Sequence, residues 1–245
     1  MPHVIYPLPI CRLHGNKGMF TYRHFYGEEY WFPVFSWLID MGTEKILIDC
    51  PGPAGEMEKY STAGLKGEDL RSMDECLKEN GVSADDITTV ILTHLHYDHI
   101  TGADKFPNAR FVVQQKELDF ASNPHPLFKK SYRRNLIENI TFDAVQGDTS
   151  LFPGVAVILT PGHTPGAQSV AVETAKGKVI IAGFCSVKEN FFPPEPVNNT
   201  FPVIPPGIMV NSMEAYDSAL RIKQLADIVI PLHECETISV KTIPA

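Results

Sequence analysis

The sequence predicts an α/β fold in which two β-sheets pack against each other and helices cover their outer faces. Strand, helix and strand patterns follow one another in the first half of the chain, which indicates a mixed or parallel sheet with helices packed on it. A second series of strands separated by turns occupies residues 142–182, and a two-sheet sandwich explains this repetition. With 245 residues, 44% of them hydrophobic and 20% charged, the chain is long enough for one large domain or two fused halves.

The first half of the chain begins with apolar segments that are typical of strands. These segments are Val4–Ile10, Phe32–Ile39 and Lys45–Asp49. The turn Met41-Gly42-Thr43 joins the last two as a hairpin. Residues Glu56–Gly67 are polar and predict a surface loop. Asp69–Asn80 has apolar residues at helical spacing and is followed by Gly81, as at the end of many helices, so it predicts a helix.

The second half contains further strands and two helices. The predicted strands are Ala109–Gln114, Phe142–Val145, Val155–Thr160, Ser169–Glu173, Lys178–Ala182 and Asp227–Pro231. The predicted helices are Gln115–Ala121 and Ser212–Ala226. Residues 122–140 are irregular to helical and are predicted to be an insertion near the mouth of a site. Phe191–Pro206 contains six prolines, which excludes a regular helix or a central strand.

Composition excludes several classes of protein. The formal net charge is −8 and no dense Lys/Arg cluster occurs, so a nucleic-acid partner is not expected. The most apolar stretch, Tyr30–Ile39, is too short to span a bilayer. The five cysteines are widely spaced, which favours reduced thiols, and the amino terminus does not resemble a signal peptide. A cytoplasmic location is therefore expected.

The segment Thr93–His99 is the strongest functional signal in the chain. It reads Thr-His-Leu-His-Tyr-Asp-His and follows the apolar run Val90–Leu92, which predicts a buried strand. Sites in α/β proteins concentrate where such strands end. A lone histidine is usually an ordinary core or surface residue, but three imidazoles and a carboxylate within six residues form the donor set that metal ions prefer.

Two more histidines occupy the same kind of position. His163 lies in the loop Thr160–Gly166, where prolines and glycines hold the chain in a tight turn. His233 follows the last predicted strand by two residues. Either residue alone is typical of a loop, but the setting recurs three times, which favours one shared metal site.

These motifs resemble those of the metallo-β-lactamase superfamily. Residues 93–99 match its His-x-His-x-Asp-His signature, residues 160–166 resemble its second motif, and His233 resembles its late histidine. The order and intervals look closest to the N-acyl-homoserine lactonase group, as do Gly147-Asp148, Leu151–Val155, Gln168-Ser169 and Lys188–Phe191. The resemblance extends from about Phe32 onward. It implies a four-layer αββα sandwich of the metallo-β-lactamase type, forming a single domain over residues 1–245.

The resemblance also implies a set of metal ligands. It assigns two groups, one for each metal ion: His94, His96 and His163, and Asp98, His99 and His233. In dinuclear members an aspartate, typically in a Gly-Asp pair, bridges the metals after the strand that corresponds to Lys178–Ala182. This chain has Gly183 and Phe184 there instead, and Ser186 or Val187 replaces a tyrosine that lactonases carry.

The loss of an anionic bridge leaves more positive charge between two metals and weakens their binding. Three outcomes are open: two metals bridged only by hydroxide, a single metal, or a thiolate ligand from Cys185. The alternative for Cys185 is an ordinary buried residue. Cys50 is a further thiol that could face the site.

The expected function is metal-dependent hydrolysis of a lactone or a similar ester by attack of metal-bound hydroxide. In this scheme Asp98 orients the nucleophile or carries a proton to the leaving alkoxide. Zinc is expected, with one or two ions per chain, although iron, manganese and cobalt suit the same donors. The alternatives are a thioesterase resembling glyoxalase II, a mononuclear iron oxidoreductase of the persulfide dioxygenase type, and a binding protein without catalysis. The segment Phe191–Met209 suits an acyl groove or a homo-oligomer contact.

Overall fold

The chain forms strands and short helices over residues 2–61 and 64–244, which the computed structural model describes. The strands of the first half are β1 (Ile5–Asn16), β2 (Glu29–Asp40), β3 (Lys45–Ile48), β4 (Lys66–Asp69), β5 (Thr89–Ile91), β6 (Arg110–Gln114) and β7 (Phe142–Val145). Those of the second half are β8 (Thr149–Phe152), β9 (Val155–Leu159), β10 (Gln168–Thr174), β11 (Gly177–Ala182) and β12 (Ile228–Pro231). The α-helices are α1 (Ala54–Tyr60), α2 (Met73–Glu79), α3 (Tyr97–Ile100), α4 (Gln115–Ser122), α5 (Arg134–Ile137) and α6 (Ser212–Leu225).

These strands form two sheets. The first has the order β4-β1-β2-β3-β5-β6-β7, antiparallel from β4 to β3 and parallel from β3 to β7. The second has the order β12-β11-β10-β9-β8, in which β11 and β12 are the parallel pair. Because parallel neighbours end at the same edge of a sheet, the segments after β3 and β5 lie together, and so do those after β11 and β12.

An apolar layer fills the space between the two sheets. Trp37 and Ile91 enter it from the first sheet, and Val170 and Ile181 enter it from the second, all four fully buried. Alternate side chains of a strand point to opposite faces, so every second residue reaches this layer. Burial of each such side chain contributes about 1.5–3 kcal/mol, which holds the sheets face to face.

Helices cover the outer faces of both sheets. Leu47 and Val90 on the outside of the first sheet pack in one cluster with Leu77 of α2. Ile180 on the outside of the second sheet packs with Ala219 and Ile222 of α6. The order of layers is therefore helix, sheet, sheet, helix, which confirms the predicted αββα sandwich.

The structure corrects the predicted loop at Glu56–Gly67. Most of helix α1 and the start of β4 lie in this range, while Thr62 and Ala63 are outside the described residues. β4 is a polar edge strand, and Gly67 pairs with Leu13 of β1. A strand that lies at a sheet edge and buries few side chains has no alternating apolar pattern, so this strand could not be predicted from the sequence.

Other boundaries also differ from the predictions. The helix predicted from Asp69 begins at Met73, because Ser72 caps it and exchanges hydrogen bonds with Glu75. β8, a short strand with no buried residue, was not predicted. Phe191–Pro206 has no α-helix or strand, as expected from its prolines. Across residues 2–61 and 64–244, every helix is too short or too polar to cross a membrane.

Candidate metal centre

Three imidazoles converge at the end of β5 and form the first ligand group. His94 and His96 follow β5, and His163 arrives from the loop between β9 and β10. Nε2 of His163 lies 3.2 Å from Nε2 of His94 and 3.2 Å from Nδ1 of His96. Three nitrogens at these distances form one face of a metal coordination sphere.

A second ligand group lies beside the first. Asp98 and His99 belong to the short helix α3, and His233 follows β12. Oδ2 of Asp98 lies 3.5 Å from Nε2 of His99 and 4.0 Å from Nε2 of His233. In each group the three candidate ligand atoms lie within 4.8 Å of one another, so the structure brings together all six histidine and aspartate ligands that were predicted.

The loop that carries His163 is fixed by close packing. The amide of Gly162 donates a hydrogen bond to the carbonyl of Thr164 at 3.0 Å, which closes the turn. Gly162 has a φ of +127° and lies against α6, where a β-carbon would come within 2.2 Å of the amide nitrogen of Ala215. Only glycine fits this position, so the loop conformation directs the imidazole into the site.

Backbone carbonyls fix the tautomers of two ligands. Nδ1 of His163 lies 2.6 Å from the carbonyl oxygen of Ile208, and Nδ1 of His233 lies 2.8 Å from that of Pro33. A carbonyl can only accept, so each Nδ1 carries the proton and each Nε2 presents a lone pair to its ligand group.

Asp49 fixes two more ligands through its buried carboxylate. It accepts hydrogen bonds from Nδ1 of His99 at 2.7 Å and from the hydroxyl of Thr93 at 2.8 Å. The Thr93 proton is thereby used, so its oxygen accepts from Nδ1 of His94 at 3.1 Å. Asp49 was not among the residues predicted to form the site. An acidic residue directly after the apolar strand β3 was the available signal.

Charge and burial separate His99 from the other imidazoles. Burial lowers the pKa of His163 and of His233 to about 4 and holds those of His94 and His96 well below their usual range, so these rings stay neutral. Burial also opposes the charge on His99, but the carboxylates of Asp98 and Asp49 outweigh it and raise its pKa to about 9. The neutral rings of His94, His96, His163 and His233 each offer a lone pair, and Asp98 offers a carboxylate. These are donors that divalent metal ions bind.

The two cysteines considered as ligands lie elsewhere. Cys185 is fully buried in the apolar cluster beneath α6, with Ala182 and Phe191, and burial raises the pKa of its thiol. Cys50 is fully buried in the cluster on the outside of the first sheet. Neither sulfur joins a ligand group among the described residues. This corrects one of the three outcomes considered for the metal site, a thiolate ligand from Cys185. The turn after β11 directs Cys185 into the apolar core instead of toward the ligand groups.

Gly183 and Phe184 are the two residues predicted to stand where dinuclear relatives have a bridging aspartate. Phe184 lines the pocket with the six ligands. Gly183 offers no alternative, because a β-carbon there would lie 1.8 Å from the carbonyl oxygen of Gln168. Among the described residues that line this pocket, Asp98 is the single carboxylate.

The sequence of this chain is similar to those of known proteins. Residues 30–227 match the family model of the metallo-beta-lactamase superfamily. The chain belongs to this superfamily. An N-acyl homoserine lactonase from a Bacillus species is 32% identical over an alignment of 176 positions, which covers 67% of this chain and 69% of that protein. The protein is accordingly a metal-dependent hydrolase.

Solved structures of the superfamily share the fold. A variant of AiiA from B. thuringiensis, with N-decanoyl-L-homoserine bound at its active site, superposes with a TM-score of 0.80 at 24% identity, covering 100% of this chain and 99% of that one. AidC, described as a dizinc quorum-quenching lactonase, superposes with a TM-score of 0.70 at 20% identity, covering 95% and 88%. Both confirm the metallo-beta-lactamase fold.

Proposed function

We propose that the protein opens the ring of an N-acyl homoserine lactone with two zinc ions held by the two ligand groups. The observation that carries the proposal is the convergence of both groups in a single pocket with apolar walls. The similarity to an N-acyl homoserine lactonase supports this substrate class. The dizinc description of AidC supports zinc at both positions.

Zinc, when bound, would polarise a carbonyl and would lower the pKa of a bound water molecule to about 7. The chain itself supplies the geometry and a proton acceptor. Burial opposes ionisation of Asp98, but neighbouring His99 and His233 outweigh it and hold the pKa of its carboxyl below its usual value. An ionised Asp98 orients a water molecule and carries its proton to the alkoxide that leaves when the ring opens.

Apolar side chains define the rest of the pocket. Met19, Phe20, Leu65 and Ile208 line it together with the ligands. Such walls bind an acyl chain by removing its surface from water, and they strengthen electrostatic interactions at the reacting carbonyl by excluding solvent. A lactone with an apolar acyl tail therefore suits both parts of the pocket.

The test is a comparison of substrates with zinc-loaded protein. We expect proton release from N-acyl homoserine lactones as the ring opens, and little cleavage of a glutathione thioester. His233→Ala should abolish the reaction, whereas His125→Ala, which changes an exposed histidine, should leave it unchanged. Cleavage of the thioester alone would overturn the proposal in favour of a thioesterase.

A further inference from the structure

A second buried carboxylate, Glu117, lies directly behind the three-histidine group. Glu117 belongs to the first turn of α4, and its side chain is completely shielded from solvent. No Lys or Arg pairs with it among the ion pairs of the described residues. A buried carboxylate without a cation is costly, so its position calls for specific hydrogen bonds.

Four donors satisfy this carboxylate. Oε1 accepts from the amide of Leu95 at 3.0 Å and from the hydroxyl of Tyr132 at 2.9 Å. Oε2 accepts from the hydroxyl of Thr164 at 2.6 Å and from the amide of Gly166 at 3.2 Å. Charge-assisted hydrogen bonds of this kind are about twice as strong as neutral ones.

These donors belong to the segments that carry the three imidazoles. Leu95 lies between His94 and His96, and Thr164 directly follows His163. The first segment extends from β5 of one sheet, and the second extends from β9 of the other. One carboxylate therefore joins the two sheets at the point where the first ligand group is assembled.

Steric contacts tighten the same junction. Gly166 lies so close to α4 that a β-carbon would come within 2.1 Å of the amide nitrogen of Glu117. The ring of Tyr132 packs edge-on against His96, with ring centroids 5.0 Å apart. Tyr132 thus contacts a ligand with its ring and Glu117 with its hydroxyl.

We propose that Glu117 is a positioning residue that holds the His94, His96 and His163 group in its metal-binding geometry before the metal arrives. The proposal rests on the metal centre of the proposed function but not on its lactone substrate. Loss of this carboxylate should weaken metal binding at the three-histidine group far more than at the Asp98, His99 and His233 group, because none of the four hydrogen bonds of Glu117 reaches α3 or the segment after β12.

Titration of each ligand group by itself tests this asymmetry. In a His233→Ala background the three-histidine group remains complete, and in a His163→Ala background the second group remains complete. We expect Glu117→Gln to weaken zinc binding about 10- to 100-fold in the first background and less than about threefold in the second. Asp119→Asn removes an exposed carboxylate from the same helix and should change neither affinity.

A second, milder variant tests the same role in case Glu117→Gln prevents the protein from folding. Tyr132→Phe removes one donor to Glu117 but keeps the ring on His96, and it should weaken zinc binding about 3- to 10-fold in the first background alone. Equal weakening in both backgrounds, or none in either, would overturn the positioning role. Zinc binding as expected without lactone opening would instead overturn the proposed function and leave the role of Glu117 intact.

Discussion

At the scale of single residues, the charge on His99 makes the second ligand group differ from the first. Nε2 of a ligand must lose its proton before it can bind zinc. His163 and His233, with pKa values of about 4, are already neutral at pH 7. His99, with a pKa of about 9, is still protonated at that pH in the metal-free protein. Zinc binding should therefore displace a proton from His99.

Calorimetric titration at pH 8 in buffers of different ionisation enthalpy measures this proton. A group with a pKa of about 9 is still about nine-tenths protonated there, so wild type should release close to one proton from His99. Release falls as the pH rises through 9, because the ring is then already neutral. Asp49→Asn removes one of the two carboxylates that raise this pKa and should release fewer protons.

Asn at position 49 can adopt the same backbone conformation as Asp49. Asp49 has a φ of +55°, a conformation that Asn also tolerates, so the change removes charge without new strain. Equal proton release from wild type and Asp49→Asn would contradict the assigned role of this carboxylate.

The six ligands could be predicted at this scale, but their supporting carboxylates could not. The ligands share a local signal, a polar donor after an apolar strand, and they also match family motifs. Asp49 has the first signal but belongs to none of these motifs. Asp49 and Glu117 gain their roles from partners far along the chain, such as His99 and Thr164. Cys185 shows the opposite error, because the direction of a side chain in a turn depends on packing that the sequence alone does not reveal.

At the scale of elements, the turn after β11 limits what the site can contain. Gly183 donates its amide to the hydroxyl of Ser169, and a β-carbon on it would lie 1.8 Å from the carbonyl of Gln168 and 2.7 Å from Thr93. This turn therefore packs directly against the segment that begins the first ligand group.

Gly183→Ala should destabilise the protein because the added methyl group displaces this backbone. We expect a loss of about 2–3 kcal/mol in the free energy of unfolding, measured with urea on metal-free protein. Gly55→Ala is the matched control, since Gly55 lies in α1 with open space around it, and should gain about 0.5–1 kcal/mol. Equal stability of the two variants would contradict the close packing.

Elements whose side chains are mostly buried could be predicted from the sequence, and elements with few buried side chains could not. The central strands β3, β5 and β6 were predicted because both of their faces are covered, so their sequences are continuously apolar. α1 and β4 were missed because they lie at an edge and bury few side chains. The helix boundary at Met73 depends on the Ser72 cap, a local signal outweighed by the longer apolar pattern.

At the scale of the whole molecule, the sandwich brings segments that are distant in sequence together at one edge of the two sheets. Residues 93–99, the His163 loop and the segment after β12 come from both sheets and meet in one pocket. With Asp98 as the single carboxylate among its described lining residues, the pocket neutralises less of the charge of two dications than a bridged centre would. Zinc should consequently be removable by chelators, and activity should follow zinc content.

Lactone opening, measured as zinc is returned to the chelator-treated protein, tests dizinc lactone hydrolysis most directly. Initial rates with N-hexanoyl homoserine lactone should be negligible without metal and should rise until two equivalents of zinc are bound per chain. A full rate in the absence of metal, or no ring opening at two equivalents, would contradict a dizinc lactonase.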